Sequence, residues 1–180
     1  MVVNPNLHGT SNERKFRIDG GGAFKGTFHP AEESSFGSAK FVHERRLLRT
    51  RPRSRLKAGD IFFADRERYL AANHAEGYRG LYRSFRAFKI TDHLEWVKNT
   101  AGAEDPVTKR PRPGVPSSQG NVWVTMERIQ DEELDVGARV KQERYRIITA
   151  KEITIGDRIG GMKVNRSDKI LGVWLIEAEK

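Results

Sequence analysis

Short runs of β-forming residues recur at even spacing from Leu56 to the C-terminus, and glycine, aspartate and proline separate them. In the last run, residues 173–178 alternate between two faces, which is the two-residue period of a strand. Gly160-Gly161 separates two other runs, and a type I′ hairpin turn needs positive φ at both central positions. The pattern predicts a mainly β domain over residues 57–180, folded as an antiparallel barrel or sandwich. No internal repeat is evident in the sequence.

A proline-rich segment interrupts this domain. Four of the seven prolines lie between Pro106 and Pro116, within residues 102–120. Proline lacks a backbone N–H and fits poorly inside a strand or a helix. The composition therefore predicts an exposed Pro-rich loop over residues 102–120. A loop of this length inside a compact domain is usually functional or bound to a partner.

The segment before the β pattern, residues 1–56, has neither a helical nor a strand period. Five of the nine phenylalanines lie there, among glycines and serines. Isolated aromatic side chains on a polar chain are typical of anchors that fill pockets on another surface. The sequence predicts a long extended N-terminal arm over residues 1–56. Its subunit-anchoring residues are Phe16, Phe24, Phe28, Phe36 and Phe41.

The end of this arm is strongly basic. Residues 40–57 carry eight basic side chains and one acidic side chain, a net charge of +7. Every second residue from Arg49 to Arg55 is arginine, and on an extended backbone alternate residues share a face at about 6.6 Å. Guanidinium groups suit phosphates and carboxylates equally. We predict a strap that binds DNA or an acidic partner. It consists of Arg45, Arg46, Arg49, Arg51, Arg53, Arg55 and Lys57.

Charge is uneven along the whole chain. Residues 1–60 carry 12 basic and 6 acidic side chains, residues 61–116 carry 10 and 7, and residues 117–180 carry 11 and 11. All of the formal net charge of +9 therefore lies in the first two thirds. This asymmetry indicates an anionic partner for that part of the chain.

The composition also limits the chemistry. The chain has no cysteine, which excludes a disulfide framework, a thiolate metal site and a cysteine nucleophile. Its five histidines show no metal-ligand spacing. No run approaches the roughly 18 apolar residues of a membrane span, so no membrane partner is expected. We predict no catalytic residue, no metal and no cofactor, and therefore a protein that is not an enzyme.

Several short segments of the sequence are similar to segments of one structural family. Lys57-Ala58-Gly59-Asp60-Ile61, followed by Arg68-Tyr69-Leu70, is similar to the first hairpin of its barrels. The similarity continues in Arg83-Ser84-Phe85-Arg86, Glu95-Trp96, Asp105-Pro106-Val107-Thr108, Tyr145-Arg146-Ile147-Ile148, Gly156-Asp157-Arg158-Ile159 and Leu171-Gly172-Val173. On these residues, the stretch from Leu56 to Glu179 resembles the small neck or head-closure (head–tail connector) β-barrels of tailed bacteriophages.

The resemblance implies a non-enzymatic virion structural and assembly protein that docks on the connector and helps retain packaged DNA. The expected partners are copies of the chain in a ring, neighbouring portal, adaptor, tail or capsid proteins, and the phosphates of packaged DNA. The expected location is the virion, with the host cytoplasm during assembly. The same sequence features also fit a tail-terminator, capsid-decoration or baseplate subunit. A second hypothesis is a stand-alone nucleic-acid-binding β-barrel module that uses the basic strap.

Overall fold

The computed structural model describes residues 13–30, 45–76, 82–100, 114–129 and 143–180. These residues form β-strands joined by turns, and none of them is helical. The chain divides into two compact units, Met1–Lys89 and Ile90–Lys180, and each is a closed six-stranded antiparallel barrel. The prediction of a mainly β, antiparallel-barrel fold is confirmed. The predicted division between residues 56 and 57 is wrong, because the boundary lies after Lys89.

The first barrel contains six strands. They are β1 (Arg14–Ile18), β2 (Ala23–Pro30), β3 (Arg45–Thr50), β4 (Ile61–Ala64), β5 (Glu67–Glu76) and β6 (Arg83–Lys89). Their order around the barrel is β1-β2-β3-β6-β5-β4, and β4 closes onto β1.

The second barrel repeats this topology. Its strands are β7 (Asp92–Thr100), β8 (Val115–Ile129), β9 (Arg144–Thr149), β10 (Arg158–Ile159), β11 (Met162–Ile170) and β12 (Val173–Glu179). Their order is β10-β11-β12-β9-β8-β7. When β7 to β12 are matched in sequence with β1 to β6, every strand pairing of one barrel has its equivalent in the other. The chain is therefore a structural tandem repeat, which the sequence analysis missed.

A recurring turn before the fourth strand supports the repeat. In the first barrel, Leu56 is fully buried and the N–H of Lys57 donates to Oδ2 of Asp60 at 2.7 Å. The N–H of Gly59 donates to the carbonyl of Ala71 at 2.8 Å. Gly59 has a φ of 90°, a conformation that favours glycine.

The second barrel uses the same arrangement. Ile153 is fully buried, and the N–H of Thr154 donates to Oδ2 of Asp157 at 3.1 Å. The N–H of Gly156 donates to the carbonyl of Val164 at 2.9 Å, and its φ is 92°. A buried aliphatic residue followed three and four positions later by glycine and aspartate is thus the signature of this turn.

The predicted N-terminal arm is wrong where the structure describes it, because residues 14–50 supply three strands of the first barrel. Phe16 and Phe24 are 4% and 5% exposed, and their ring centroids lie 5.2 Å apart inside that barrel. Phe28 packs against the same core. These three side chains are core residues rather than subunit anchors, and Phe36 and Phe41 lie outside the described residues.

One glycine conceals the strand pattern of β2. Its inward positions are Phe24, Gly26 and Phe28, so the alternation of large apolar residues is interrupted. A Cβ at Gly26 would lie 2.6 Å from the carbonyl oxygen of Arg49 in β3. The close approach of β3 therefore requires glycine at this position, and the requirement weakens the periodic signal.

The predicted loop over residues 102–120 is wrong in its last part. Residues 115–120 belong to β8, and the pair Thr100–Val115 continues the ladder between β7 and β8. Pro116 is accommodated because no strand among the described residues pairs with the other side of β8 at this position. Residues 101–113 lie outside the described residues.

Candidate functional site

A shallow hollow of about 450 Å³ on the first barrel is lined mainly by cationic side chains. The lining residues are Lys15, Ala23, Phe24, Lys25, Arg51, Arg53, Ser54 and Arg55. The hollow brings three residues of the predicted strap together with two lysines that the sequence analysis did not select. The five cations come from the β1–β2 hairpin and from the segment that follows β3.

The hairpin side of the hollow places two like charges opposite each other. Lys15 in β1 pairs directly with Lys25 in β2, and both side chains are exposed. The neighbouring pair, Phe16 and Phe24, points into the core, so the lysines must point outward. Like charges directly opposite on a sheet are destabilising, and a bound anion would relieve that repulsion.

The other side of the hollow is a turn rather than the predicted extended row. The N–H of Ser54 donates to the carbonyl of Arg51 at 3.0 Å, which closes a turn through Pro52. The prediction that alternate arginines from residue 49 to residue 55 form one straight row is therefore wrong. Proline favours the second position of such turns, so Pro52 both excluded a helix and bent the chain.

This turn is held from inside the barrel. Nη1 of Arg83 in β6 donates to the carbonyls of Ser54 and Leu56, at 3.3 and 3.2 Å. The Ser54 hydroxyl accepts the N–H of Leu56 at 3.3 Å, and the Leu56 side chain is fully buried. The backbone that carries the arginines is therefore fixed before any ligand arrives.

One carboxylate lies beside the hollow. Glu13 accepts two hydrogen bonds from Arg51, from Nε at 3.0 Å and from Nη2 at 2.9 Å. The hydrogen bond from Arg51 is the main cause that lowers the pKa of Glu13 below its usual value. Within the described parts of the chain, Lys15, Arg53 and Arg55 have no carboxylate oxygen within 4.0 Å.

The remaining strap residues do not line the hollow. They are Arg46, Arg49 and Lys57, and the Arg45 side chain lies outside the described part of the structure. The Arg46 guanidinium lies 5.6 Å from the centroid of the Phe28 ring. The Arg49 guanidinium lies 5.2 Å from the centroid of the Tyr82 ring. Three strap residues thus belong to the exposed basic cluster that lines the hollow, whereas Arg46 and Arg49 lie over aromatic rings.

The equivalent position in the second barrel is built differently. There His93 pairs with Trp123, in the register that Lys15 and Lys25 occupy in the first barrel. The two rings are stacked, with centroids 3.8 Å apart. The segment that follows β9 is also two residues shorter than its counterpart and contains no arginine.

The two units also differ in net charge. Residues 1–89 carry 18 basic and 9 acidic side chains, whereas residues 90–180 carry 15 of each. The whole net charge of +9 therefore belongs to the unit that contains the hollow.

A second feature is a two-stranded ribbon, made of residues 98–100 of β7 and residues 115–120 of β8. Residues 115–121 are all exposed, although successive strand residues point to opposite faces. β9 pairs with β8 only from Val124 onward, and β10 pairs with β7 only at Trp96 and Val97. Within the described structure the outer edge of β8 is therefore open along the ribbon. On the β7 edge, Asn99 donates from its N–H to Asp157 at 3.0 Å and from Nδ2 to the Gly156 carbonyl at 2.6 Å.

Two searches for other kinds of site returned nothing in the described residues. No group of three or more His, Asp or Glu side chains there is placed to hold a metal ion. A helix with the length and apolar character needed to cross a membrane was not found among those residues. Comparisons with protein-family models, curated proteins and solved structures gave no match to this chain.

Proposed function

We propose that the chain is a non-enzymatic structural subunit of a tailed-bacteriophage virion. In this proposal it forms a neck ring, as a head-closure or adaptor protein that joins head and tail and helps retain packaged DNA. Its partners are copies of itself and the neighbouring portal, tail or capsid proteins. The observation that carries the assembly role is the ribbon, and the neck assignment comes from the resemblance of residues 56–179.

The ribbon supports assembly because, within the described structure, residues 115–120 are all exposed and no strand pairs with the outer edge of β8 there. An isolated two-stranded ribbon is marginally stable in water, and a neighbouring subunit that covers its faces would stabilise it. Val115, which is 71% exposed, gives the ribbon an apolar contact point. Pro116 lacks an N–H on the open side of β8, which disfavours uncontrolled strand addition. These features suit a specific contact through side chains.

The first test is the light-scattering mass of the nuclease-treated protein in about 0.5 M salt, which screens charges beyond roughly 4 Å. We expect a discrete closed ring of about six or twelve protomers, because cyclic symmetry closes such assemblies. A monomer under these conditions would contradict self-assembly. It would favour the stand-alone nucleic-acid-binding module, for which the basic hollow is the supporting observation.

A point variant tests the role of the ribbon. Val115→Asp is expected to raise the protein concentration needed for ring formation by about tenfold, since the contact loses a buried valine worth roughly 1.5 kcal/mol. Leu171→Asn is the matched control, because Leu171 is also an exposed apolar residue but lies in the β11–β12 turn. Its φ of 51° suits asparagine. If both variants form rings at the same protein concentration, the ribbon is not part of the contact between subunits.

A further inference from the structure

We propose that the hollow binds the sugar-phosphate backbone of nucleic acid without reading base sequence, and that the first barrel alone carries this activity. The inference deepens the proposed function, because it rests on DNA retention as part of that function. It adds a defined site, a ligand class and a division of labour between the two barrels.

The charge of the hollow supports an anionic ligand. Five cations line the hollow, and the carboxylate that lies beside it, Glu13, is already engaged by Arg51. Lys15 and Lys25 lie opposite each other at a cost in stability that a bound phosphate would offset. Arg53 and Arg55 are exposed on a backbone that Arg83 holds in place. Cations fixed in advance lose little freedom when the ligand binds.

The hollow suits the backbone rather than the bases. Proteins that hold single-stranded bases stack them on exposed aromatic rings. The one aromatic residue in this lining, Phe24, is buried and stacks on Phe16 in the core. Contacts from the hollow are therefore limited to charged and polar groups of the ligand, which makes binding independent of sequence.

The surroundings favour nucleic acid over an acidic protein. Protein interfaces have an apolar core and are depleted in lysine, whereas interfaces with DNA are more polar and more positively charged. Among the described residues, the large apolar side chains that are exposed all belong to the second barrel. They are Val115, Ile155 and Leu171. The described surface of the first barrel thus offers charge without the apolar core that a protein partner needs.

The second barrel provides an internal comparison. It has the same topology and the same turn before its fourth strand, but His93 and Trp123 replace the lysine pair. The basic character is therefore not a requirement of the fold. It was added to, or kept in, one copy of the repeat, as expected for a ligand-binding surface.

The test is fluorescence anisotropy of the full chain with a labelled mixed-sequence duplex of about 20 base pairs, between about 50 and 200 mM salt. With five phosphates neutralised, log Kd plotted against log salt concentration should have a slope of about 4.5. The triple variant Lys25→Gln, Arg53→Gln, Arg55→Gln should lower this slope by about 2.7. It should also weaken binding on the order of 100-fold at low salt.

The matched control removes the same charge from the second barrel. Lys151→Gln, Lys163→Gln, Lys180→Gln alters three exposed lysines there and should weaken binding less than about threefold. Equal weakening by both triple variants would overturn the inference, because binding would then follow net charge alone. A second duplex of unrelated sequence should bind within about twofold, and strong sequence preference would also overturn it.

Competition with poly-glutamate separates the two anion classes. Unlabelled duplex and poly-glutamate are compared as competitors at equal charge concentration. We expect the unlabelled duplex to displace the labelled duplex far better than poly-glutamate does. Equal competition would assign the hollow to carboxylates and overturn the inference. Light scattering together with DNA-binding anisotropy of the parent protein separates this inference from the proposed function. Rings that do not bind DNA reject the inference alone, and monomers that bind DNA through the hollow reject the assembly role alone.

Discussion

Replacement of Asp157 by alanine is expected to destabilise the second barrel by about 3 kcal/mol. Asp157 is 1% exposed. Its carboxylate accepts hydrogen bonds from the Trp96 indole at 3.1 Å and the Asn99 N–H at 3.0 Å. It also accepts two from Thr154, from the N–H and the hydroxyl, each at 3.1 Å. Alanine would leave these donors without an acceptor in a buried site.

The measurement is urea unfolding followed by tryptophan fluorescence. All three tryptophans lie in the second unit, so this signal reports on that barrel. Asp168→Ala is the control, since that side chain is 42% exposed and its carboxylate accepts a hydrogen bond from the exposed Arg166. Its expected effect is below about 0.5 kcal/mol. Equal midpoints for Asp157→Ala and the parent protein would contradict the structural role of this carboxylate.

Low pH should lower the stability of the same barrel. Burial by itself would raise the pKa of Asp157, but the hydrogen bonds from Asn99, Trp96 and Thr154 outweigh burial and lower the pKa. A folded-state pKa below the unfolded value means that the carboxylate stabilises the barrel at higher pH. That contribution is lost as the pH falls below about 4 and through the folded pKa. Asp157→Asn should therefore show a flatter dependence of stability on pH in this range.

Replacement of Phe62 by alanine is expected to cost the first barrel about 4 kcal/mol. The Phe62 ring is fully buried, and its centroid lies 5.9 Å from Phe16, 5.7 Å from Phe24 and 6.0 Å from Phe28. It also stacks on Tyr69 at 5.7 Å. These contacts join β1, β2, β4 and β5, so the cavity would lie where four strands meet.

Hydrogen exchange with mass spectrometry localises this effect. Phe62→Ala should lower the protection of amides in β1 to β6. Phe63→Ala, one position along β4, is the control, because Phe63 is half-buried with the Arg68 guanidinium over its ring. Its expected cost is about 1 kcal/mol. Unchanged protection in Phe62→Ala would show that the aromatic cluster does not hold the first barrel together.

The β class could be predicted from the sequence, because alternation and turn residues act locally. Gly160 and Gly161 do adopt positive φ, 54° and 80°, between β10 and β11. The first three strands were missed, and in β2 the reason is that Gly26 occupies an inward position and breaks the period. A signal was nevertheless present, since the order Lys-Phe before the glycine turn is mirrored as Phe-Lys after it. That symmetry is expected of a hairpin, and it would have placed Lys15 opposite Lys25.

The repeat was hidden for a different physical reason. Register equates β1 with the first part of β7, and the aligned segments read Arg-Lys-Phe-Arg-Ile and Asp-His-Leu-Glu-Trp. Phe16 and Ile18 and their equivalents, Leu94 and Trp96, are apolar inward positions. The outward pair Arg17 and Glu95 and the strand-end pair Arg14 and Asp92 have opposite charge. A fold requires only the inward pattern, so the outward side chains had diverged beyond recognition. The turn before the fourth strand, with Gly59-Asp60 and Gly156-Asp157, kept the same residues.

The tandem repeat changes the stoichiometry of any symmetric assembly. In a ring of identical single-barrel subunits, every barrel carries the same surfaces. Each surface therefore occurs once for every barrel in the ring. A ring of n copies of this chain contains 2n barrels but only n basic hollows and n ribbons. In such a ring, duplication would leave one basic hollow for every two barrels. The neutral copy can then take on contacts that a charged surface would repel.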